Sequence, residues 1–184
     1  MPRTVRADFA ILGWLSIEPM SGYDLKRRIE GSIAMFWNEG FSSIYPTLRR
    51  LSEAGLIEES EPRPGDHPSR RVWRVSQGGI DQLKGWLAQP FAVTQTRNEC
   101  ALKVFFGQHL DPATLRRHLS EYKRQHEEGL VELTKIDARL GSDPSESAPY
   151  RRMTSQLGLR LCQATIDWCE DALAELPDGT PNAP

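Results

Sequence analysis

Cysteine is scarce in this chain of 184 residues, which contains only Cys100, Cys162 and Cys169. An odd number without CxxC spacing argues against a disulfide framework and against a structural zinc site, so we interpret the three as free thiols. Two histidines of one predicted helix, His118 and His126, would lie about 12 Å apart along its axis, too far to bind one ion unaided. We therefore expect neither a metal nor a cofactor.

Long apolar stretches are absent too. The longest run without a charged residue, Gly85 to Thr96, is too short to span a bilayer, and the N-terminus lacks the apolar core of a signal peptide. The chain also lacks a phosphate-binding loop, a nucleophile elbow, a metal-ligand helix and a dinucleotide-binding fingerprint. We therefore expect a cytoplasmic protein that has no membrane partner and is not an enzyme.

A surplus of positive charge is missing as well, although nucleic-acid-binding proteins commonly have one. The formal net charge is −2, and residues 1–90 carry 12 basic and 11 acidic side chains. The basic side chains are nevertheless clustered, and clustering creates a local positive field. The clusters are Lys26 to Arg28, Arg49 with Arg50, and Arg70 with Arg71 and Arg74.

The first half of the chain begins with three predicted helices. Apolar residues are dense from Ala7 to Ser16, and Ser21 is placed to cap a second helix. Pro46 lacks an N–H and is tolerated only in a first turn, so it places the start of a third helix near Ser42 and Ser43. Either serine can cap the free N–H groups of that helix.

The third helix has one apolar stripe and one polar face. The stripe contains Ile44, Leu48 and Leu51. At about 100° per residue, Tyr45 and Arg49 point away from it. Free N–H groups, hydroxyls and an arginine at a helix start suit phosphate oxygens and base edges, and the alternative is a cap with a solvated charged face. Because Arg50 is turned about 100° from Arg49, pairing with a neighbouring carboxylate is a second interpretation for it.

Two short segments after this helix predict a β-hairpin. They are Leu56 to Glu61 and Arg70 to Ser76, separated by the turn-forming connector PRPGDHPS. Three helices followed by a hairpin with a basic tip form a winged helix-turn-helix. For Arg63, Arg70 and Arg71 we predict contact with phosphate or with the minor groove, and the alternative is protection of an edge strand.

The second half is predicted to be helical throughout. A short helix over Asn98 to Phe106 precedes a long helix that opens at Asp111, and a last helix runs from about Tyr150 to Leu176. The last helix carries two apolar stripes and therefore needs two partners. One stripe contains Leu159, Cys162, Ile166, Cys169, Leu173 and Leu176, and the other contains Met153, Leu157, Leu161, Trp168 and Ala172. We expect the preceding helix to cover one stripe and a second subunit to cover the other, and we place the subunit contact at Leu159, Ile166 and Leu173.

Three blocks of the first half resemble the PadR-type winged-helix transcriptional regulators. The blocks are AILGWLSIEPMSGYDLKRRIE, SSIYPTLRRLSEAGLIE and RRVWRVSQGGIDQLKGWL, in the order and spacing of that family. The segment RNECALKVFFG is similar to the start of the all-helical C-terminal domain in the family's longer members, which include phenolic-acid repressors and a virulence activator. The resemblance extends to about Leu176.

The resemblance implies a homodimer that binds double-stranded DNA at an inverted-repeat operator. By the family pattern, the residues that enter the major groove are Ser42, Ser43, Tyr45, Pro46 and Arg49. The residues near the DNA backbone are Tyr23 and Lys26, and those of the wing are Arg63, Arg70 and Arg71. At the wing tip this sequence has GDHPSRR, where the family commonly has a Gly-Arg-Pro-Arg arrangement. We also include Arg50 among the DNA-binding candidates, beside its alternative as the partner of a carboxylate.

Four aromatic residues of the second half have two interpretations. They are Phe105, Phe106, Tyr122 and Trp168. Ligand sites in helical domains lie between helices and are mainly apolar, so these residues are candidates for the pocket of a small aromatic or hydrophobic effector. The alternative is ordinary packing in the core.

The sequence thus predicts a mainly α protein with an N-terminal winged helix-turn-helix and a C-terminal helical, coiled-coil-like dimerisation domain. We place the first domain at 1–90, the second at 91–176 and a flexible tail at 177–184. We expect a sequence-specific transcriptional regulator, a repressor that acts as a homodimer and is released by a small-molecule effector. The rival hypothesis, supported by the near-neutral first half, is a module whose winged domain binds another protein.

Overall fold

The helices and the hairpin occur in the predicted order. A computed structural model of the chain describes residues 7–31, 44–61, 71–91 and 98–176. The chain divides into two units, Met1–Gln95 and Thr96–Pro184. The described elements of the first unit are α1 (Ala7–Ile17), β1 (Met20–Ser21), α2 (Gly22–Glu30), α3 (Ile44–Glu53), β2 (Ile57–Ser60), β3 (Val72–Val75) and α4 (Gln77–Leu87). Those of the second unit are α5 (Glu99–Phe105), a 3-10 turn (Gly107–His109), α6 (Pro112–Gly141) and α7 (Ala148–Glu175).

Side-chain caps fix the starts of α2, α4 and α6. The hydroxyls of Ser21 and Ser76 each accept a hydrogen bond from the backbone N–H three residues later, at 3.2 Å, and the carboxylate of Asp111 accepts the equivalent bond at 2.9 Å. Each bond satisfies one N–H that the helix itself leaves unpaired. The predicted cap of α2 at Ser21 is therefore confirmed, and α6 begins directly after Asp111, as predicted.

A three-stranded antiparallel sheet packs beside the helices, with β3 between β1 and β2. The hairpin register pairs Ile57 with Val75 and Ser60 with Val72, as expected for two strands joined by the wing connector. The strand β1 was not predicted, and in it Met20 pairs with Trp73. This short strand ties the start of α2 to the wing.

The core of the first unit lies on the inner faces of α1, α2 and α3. Its most buried side chains are Ile11, Leu12, Leu25 and Leu51. Burial of one such side chain stabilises the fold by about 1.5–3 kcal/mol. On α3 the buried positions are Ile44, Thr47, Leu48 and Leu51. The predicted apolar stripe of α3 is thus confirmed, and its opposite face is left exposed.

In the second unit, α6 and α7 form an antiparallel pair. The Lys123 ammonium lies 2.7 Å from the Glu170 carboxylate near one end of the pair, and the hydroxyl of Ser155 donates to Asp137 at 2.9 Å toward the other. A Cβ placed on Gly129 of α6 would lie 3.6 Å from the sulfur of Cys162 on α7. The stripe of α7 that contains Cys162 therefore faces α6.

This packing corrects the predicted subunit contact at Ile166. Ile166 is only 5% exposed in the single chain and lies one helical turn after Cys162, on the side that faces α6. Leu173 belongs to the same stripe and packs against the cluster of Leu115, Leu119 and Cys169. Leu159, on the same side, is partly buried. The chain itself therefore covers this stripe, because α6 packs against it.

The other apolar stripe of α7 is exposed. Its exposed members are Met153, Leu157, Leu161 and Trp168, which we call the outer stripe. Steps of four, four and seven residues place them on one face of the helix, away from α6. Of the two stripes that the sequence contains, the outer stripe is the one without cover in the described part of the second unit.

The three cysteines are free, as predicted. Burial raises the pKa of the thiols of Cys100, Cys162 and Cys169. Across the described ranges, no group of three or more His, Cys, Asp or Glu side chains is placed to hold a metal ion. None of the helices described above has both the length and the apolar character needed to cross a membrane.

Candidate nucleic-acid interface

The start of α2 presents Tyr23 to solvent. Ser21 both caps α2 and donates from its hydroxyl to the carboxylate of Asp24 at 2.6 Å, so the first turn is held by two reciprocal bonds. Tyr23, in that turn, is 48% exposed. Lys26, one turn later, is also exposed. Both residues predicted to lie near a DNA backbone are therefore on the surface.

The exposed face of α3 carries Tyr45, Pro46 and Arg49. Pro46 lies in the first turn of α3, where a backbone N–H has no partner within the helix. Proline therefore costs no hydrogen bond at this position. Tyr45 is 66% exposed although it directly follows the buried Ile44. Arg49 lies one turn after Tyr45 and is exposed as well. The face opposite the core thus presents a phenol and a guanidinium side by side.

A concave surface joins α2, α3 and the start of β3. Its volume is about 580 Å³, and four of the predicted DNA-binding residues line it: Tyr23, Tyr45, Arg49 and Arg71. Gly22, Ser52 and Glu53 are also in its lining. We call this surface the α2–α3 concavity. Residues from three separate segments of the sequence converge there, which the linear pattern alone did not show.

The charges of the α2–α3 concavity are mixed. Arg71 lies 3.8 Å from Glu59, and on the same strand pair Arg74 lies 3.2 Å from Glu58. Because all four side chains are more than half exposed, these pairs contribute little to stability and can exchange for another anion. The concavity therefore offers hydroxyls and guanidinium groups to an anionic ligand, beside one carboxylate at Glu53.

Arg50 does not join this surface. Its guanidinium donates two hydrogen bonds to the carboxylate of Asp8 on α1, one of them at 2.7 Å. These bonds raise the pKa of Arg50. The second interpretation of Arg50, as the partner of a carboxylate, is the one the structure shows, because the side chain of Asp8 is in reach and the concavity lies on another face of α3.

Four further candidates lie outside the described residues, namely Ser42, Ser43, Arg63 and Arg70.

A separate cavity in the second unit contains one of the four aromatic candidates. It has a volume of about 310 Å³ and lies between α5 and α6. Tyr122 lines it together with Cys100, Val104, Leu115 and Leu119, and Lys103 stands at its side. Neither Phe105, Phe106 nor Trp168 is among its lining residues, and all three are exposed. The structure therefore brings only Tyr122 of the four candidates to this cavity, while Phe105 and Phe106 pack on each other and Trp168 belongs to the outer stripe.

Two family profiles match the chain. Residues 11–85 match the transcriptional regulator PadR-like family, and residues 96–177 match the C-terminal domain of the virulence activator alpha type. A "probable transcriptional regulator" of Mycobacterium tuberculosis is 25% identical over 182 residues, which cover 92% of this chain and 96% of the relative. The "negative transcriptional regulator PadR" of Bacillus subtilis is 29% identical over 99 residues, 53% of this chain and 54% of the relative.

Solved structures have the same fold over nearly the whole chain. Bacillus subtilis PadR in complex with operator DNA has a TM-score of 0.78 at 24% identity, over 91% of this chain and 96% of that one. The same protein in complex with p-coumaric acid has a TM-score of 0.73 at 21% identity, over 94% and 96%. The Vibrio cholerae virulence activator AphA has a TM-score of 0.73 at 25% identity, over 92% and 97%. The chain thus combines a PadR-like transcriptional regulator domain with a C-terminal domain of the virulence activator alpha type.

Proposed function

We propose that this regulator binds operator DNA through the α2–α3 concavity and the wing. The observation that carries the proposal is the convergence of Tyr23, Tyr45, Arg49 and Arg71 on one concave surface beside the start of α3. The family is one of DNA-binding regulators and not of enzymes. The structure of the Bacillus subtilis relative with operator DNA supports the proposal by analogy.

The chemistry of each group indicates its role. The free N–H groups at the start of α3 carry a partial positive charge suited to a phosphate, and Ser42 and Ser43 would add hydroxyl donors there. Arg49 would reach a base edge, where a guanidinium can bind guanine with two hydrogen bonds. Tyr23 and Lys26 would contact the DNA backbone and fix the register. The wing arginines are Arg63, Arg70 and Arg71, for which we propose phosphate or minor-groove contact.

We propose a homodimer whose subunits meet at the outer stripe of α7. Met153, Leu157 and Leu161 are each more than half exposed, and together with Trp168 they form one apolar strip. Apolar strips of this kind on a surface helix mark sites of association. A dimer would place two winged domains on an inverted repeat, with recognition helices about 34 Å apart to enter successive major grooves. In this proposal the winged domain comprises residues 1–90, the dimerisation domain residues 91–176 and the tail residues 177–184.

We further propose that the protein is a repressor that a small aromatic molecule releases from DNA. The Bacillus subtilis relative is a negative regulator and has been solved with p-coumaric acid, whereas the Vibrio cholerae relative is an activator. The cavity beside Tyr122 is our candidate site for such a molecule, since the apolar side chains of Val104, Leu115 and Leu119 line it together with polar groups that could orient a ligand. A ligand there would change the spacing of the winged domains and would not contact the recognition helices.

A labelled duplex of the gene's own upstream region tests the proposal against the rival protein-binding module. We expect selective binding over a scrambled duplex, with an affinity that falls steeply as salt rises, because phosphate contacts release counterions. Glu53 in the concavity and the near-neutral first half are the features that favour the rival. Equal, weak binding to both duplexes would favour it.

A further inference from the structure

The buried carboxylate of Asp8 on α1 binds Arg50. Arg50 directly follows Arg49, the arginine for which we propose contact with a base edge. The side chain of Asp8 is 4% exposed, whereas that of Arg50 is 48% exposed. Nη1 of Arg50 donates to Oδ2 of Asp8 at 2.7 Å, and Nη2 donates to Oδ1. The guanidinium therefore binds the carboxylate with both of its terminal nitrogens, and the two residues are 42 positions apart in the chain.

Bidentate pairing fixes an orientation as well as a distance. A planar guanidinium fork and a planar carboxylate match in only one relative arrangement, so the pair restrains the turn of α3 about its own axis. The restraint acts from a rigid base, because Asp8 is buried in the first turn of a helix whose Ile11 and Leu12 are fully buried. Arg49 and Arg50 are about 100° apart on α3, so fixing the direction of one fixes that of the other.

We propose that Arg50 is a positioning residue: its pair with Asp8 sets the rotation of α3 that presents Tyr45 and Arg49 in the α2–α3 concavity. This inference rests on the proposed function, since it assigns how the same surface is kept in register. Arg50 then acts on operator binding through α3 and makes no contact with DNA.

The opposite role for Arg50 makes predictions of opposite sign. If Arg50 were a phosphate contact that Asp8 holds back, removal of the Asp8 charge would release the guanidinium and strengthen DNA binding. If Arg50 positions α3, the same change loosens the helix and weakens binding. Arg50→Lys separates the two roles as well, because lysine keeps the charge that phosphate needs but lacks the fork that matches a carboxylate.

The experiment compares operator affinity across several salt concentrations for wild type, Asp8→Asn, Arg50→Gln, Arg50→Lys and the double variant Asp8→Asn/Arg50→Gln. Arg49→Gln removes the adjacent arginine and serves for comparison. Arg124→Gln is the matched control, because it also loses an arginine that pairs with a carboxylate, Glu121 at 2.6 Å, but on α6 of the second unit. Amide hydrogen exchange of residues 44–53 in the DNA-free protein gives a second measurement that needs no operator.

We expect each single change at Asp8 or Arg50 to weaken operator binding on the order of ten-fold, with an unchanged salt slope and no further loss in the double variant. Amide exchange in α3 should become faster in Asp8→Asn and in Arg50→Gln, and Arg124→Gln should change neither the affinity nor the exchange. Tighter binding by Asp8→Asn, or a salt slope that falls by about one in Arg50→Gln with unchanged exchange, would overturn the proposal. Should Asp8→Asn not fold, full affinity in Arg50→Lys would overturn it equally. If wild type itself does not select the operator, the proposed function fails, and the exchange of α3 still decides whether the pair holds the helix.

Discussion

The ring of Tyr45 lies directly over Gly22, so that α3 and the start of α2 are in contact at the centre of the concavity. A Cβ placed on Gly22 would lie 2.8 Å from Cε1 of Tyr45 and 3.2 Å from Cδ1 of Leu48. Only glycine leaves room for the tyrosine ring at this point. The glycine of the SGY sequence therefore sets the position of a side chain that we propose as a DNA contact.

Gly22→Ala should displace the Tyr45 ring and weaken operator binding several-fold. The overlap falls on a largely exposed side chain that can move, so we expect the fold and the thermal unfolding of the first unit to change little. Gly85→Ala is the matched control, because a Cβ on Gly85 would have no neighbour within 4 Å. Wild-type affinity in Gly22→Ala, measured by fluorescence anisotropy, would show that the position of Tyr45 does not matter for binding.

Arg49→Gln should weaken operator binding about ten-fold and lower the selectivity over a scrambled duplex. The physical reason is the loss of a guanidinium that we place against a base edge. Arg117→Gln on α6 removes the same charge from an exposed side chain outside the first unit. Equal losses of DNA affinity in the two variants, measured by titration at one salt concentration, would show that Arg49 contributes only general electrostatic attraction.

Leu161→Lys should weaken self-association about ten-fold or more, because it places a charge in the middle of the outer stripe. Gln163→Lys adds a lysine to the same helix, about 160° away from Leu161, and should leave the dimer intact. Light scattering after size exclusion gives the mass of each variant over a range of concentrations. A normal dimer in Leu161→Lys would place the subunit contact elsewhere.

The stability of the second unit should depend on pH through His126. Its ring lies edge-on to Tyr122 with 4.6 Å between centroids, and burial lowers the pKa of His126 below its ordinary value of 6.5. Because the unfolded imidazole takes up its proton first, the contribution of His126 is fully present above pH 6.5 and is lost as the pH falls through the lower folded-state pKa.

Urea unfolding of wild type and His126→Gln at about pH 7.5 and about pH 5.5 measures this contribution. The wild type should lose more free energy of unfolding on acidification than the variant does. An equal loss in both proteins would assign the acid sensitivity to other groups.

Local chemistry made much of this fold predictable. Ser21, Ser76 and Asp111 act within three residues of themselves, so their caps are visible in the sequence. The stripe of α3 is equally local, since Leu48 and Leu51 follow Ile44 at helical spacing. The strand β1 was not predictable in this way, because a two-residue strand has no period and depends on Val72 and Trp73, about 50 residues later.

The contacts between distant residues were the part that the sequence did not reveal. Two apolar stripes on α7 were evident, but which one α6 covers depends on which face of α6 comes near, and the approach of Gly129 to Cys162 decides it. The pairing of Arg50 with a carboxylate was foreseen as an alternative, yet nothing local identifies Asp8 as the partner. Convergence of Tyr23 with Arg71 in one concavity likewise depends on tertiary packing.

A footprint of the wild-type protein on its own upstream region tests the central claim most directly, because it reports the contact surface and the assembly together. Hydroxyl-radical cleavage should show two protected patches on one face of the duplex, about 10 base pairs or a multiple of that apart, related by an inverted repeat. At equal protein concentration, Arg49→Gln should weaken both patches together. A single protected patch would contradict a dimer that reads DNA through α3. The absence of any protection, as expected of a module that binds another protein and not DNA, would contradict it as well.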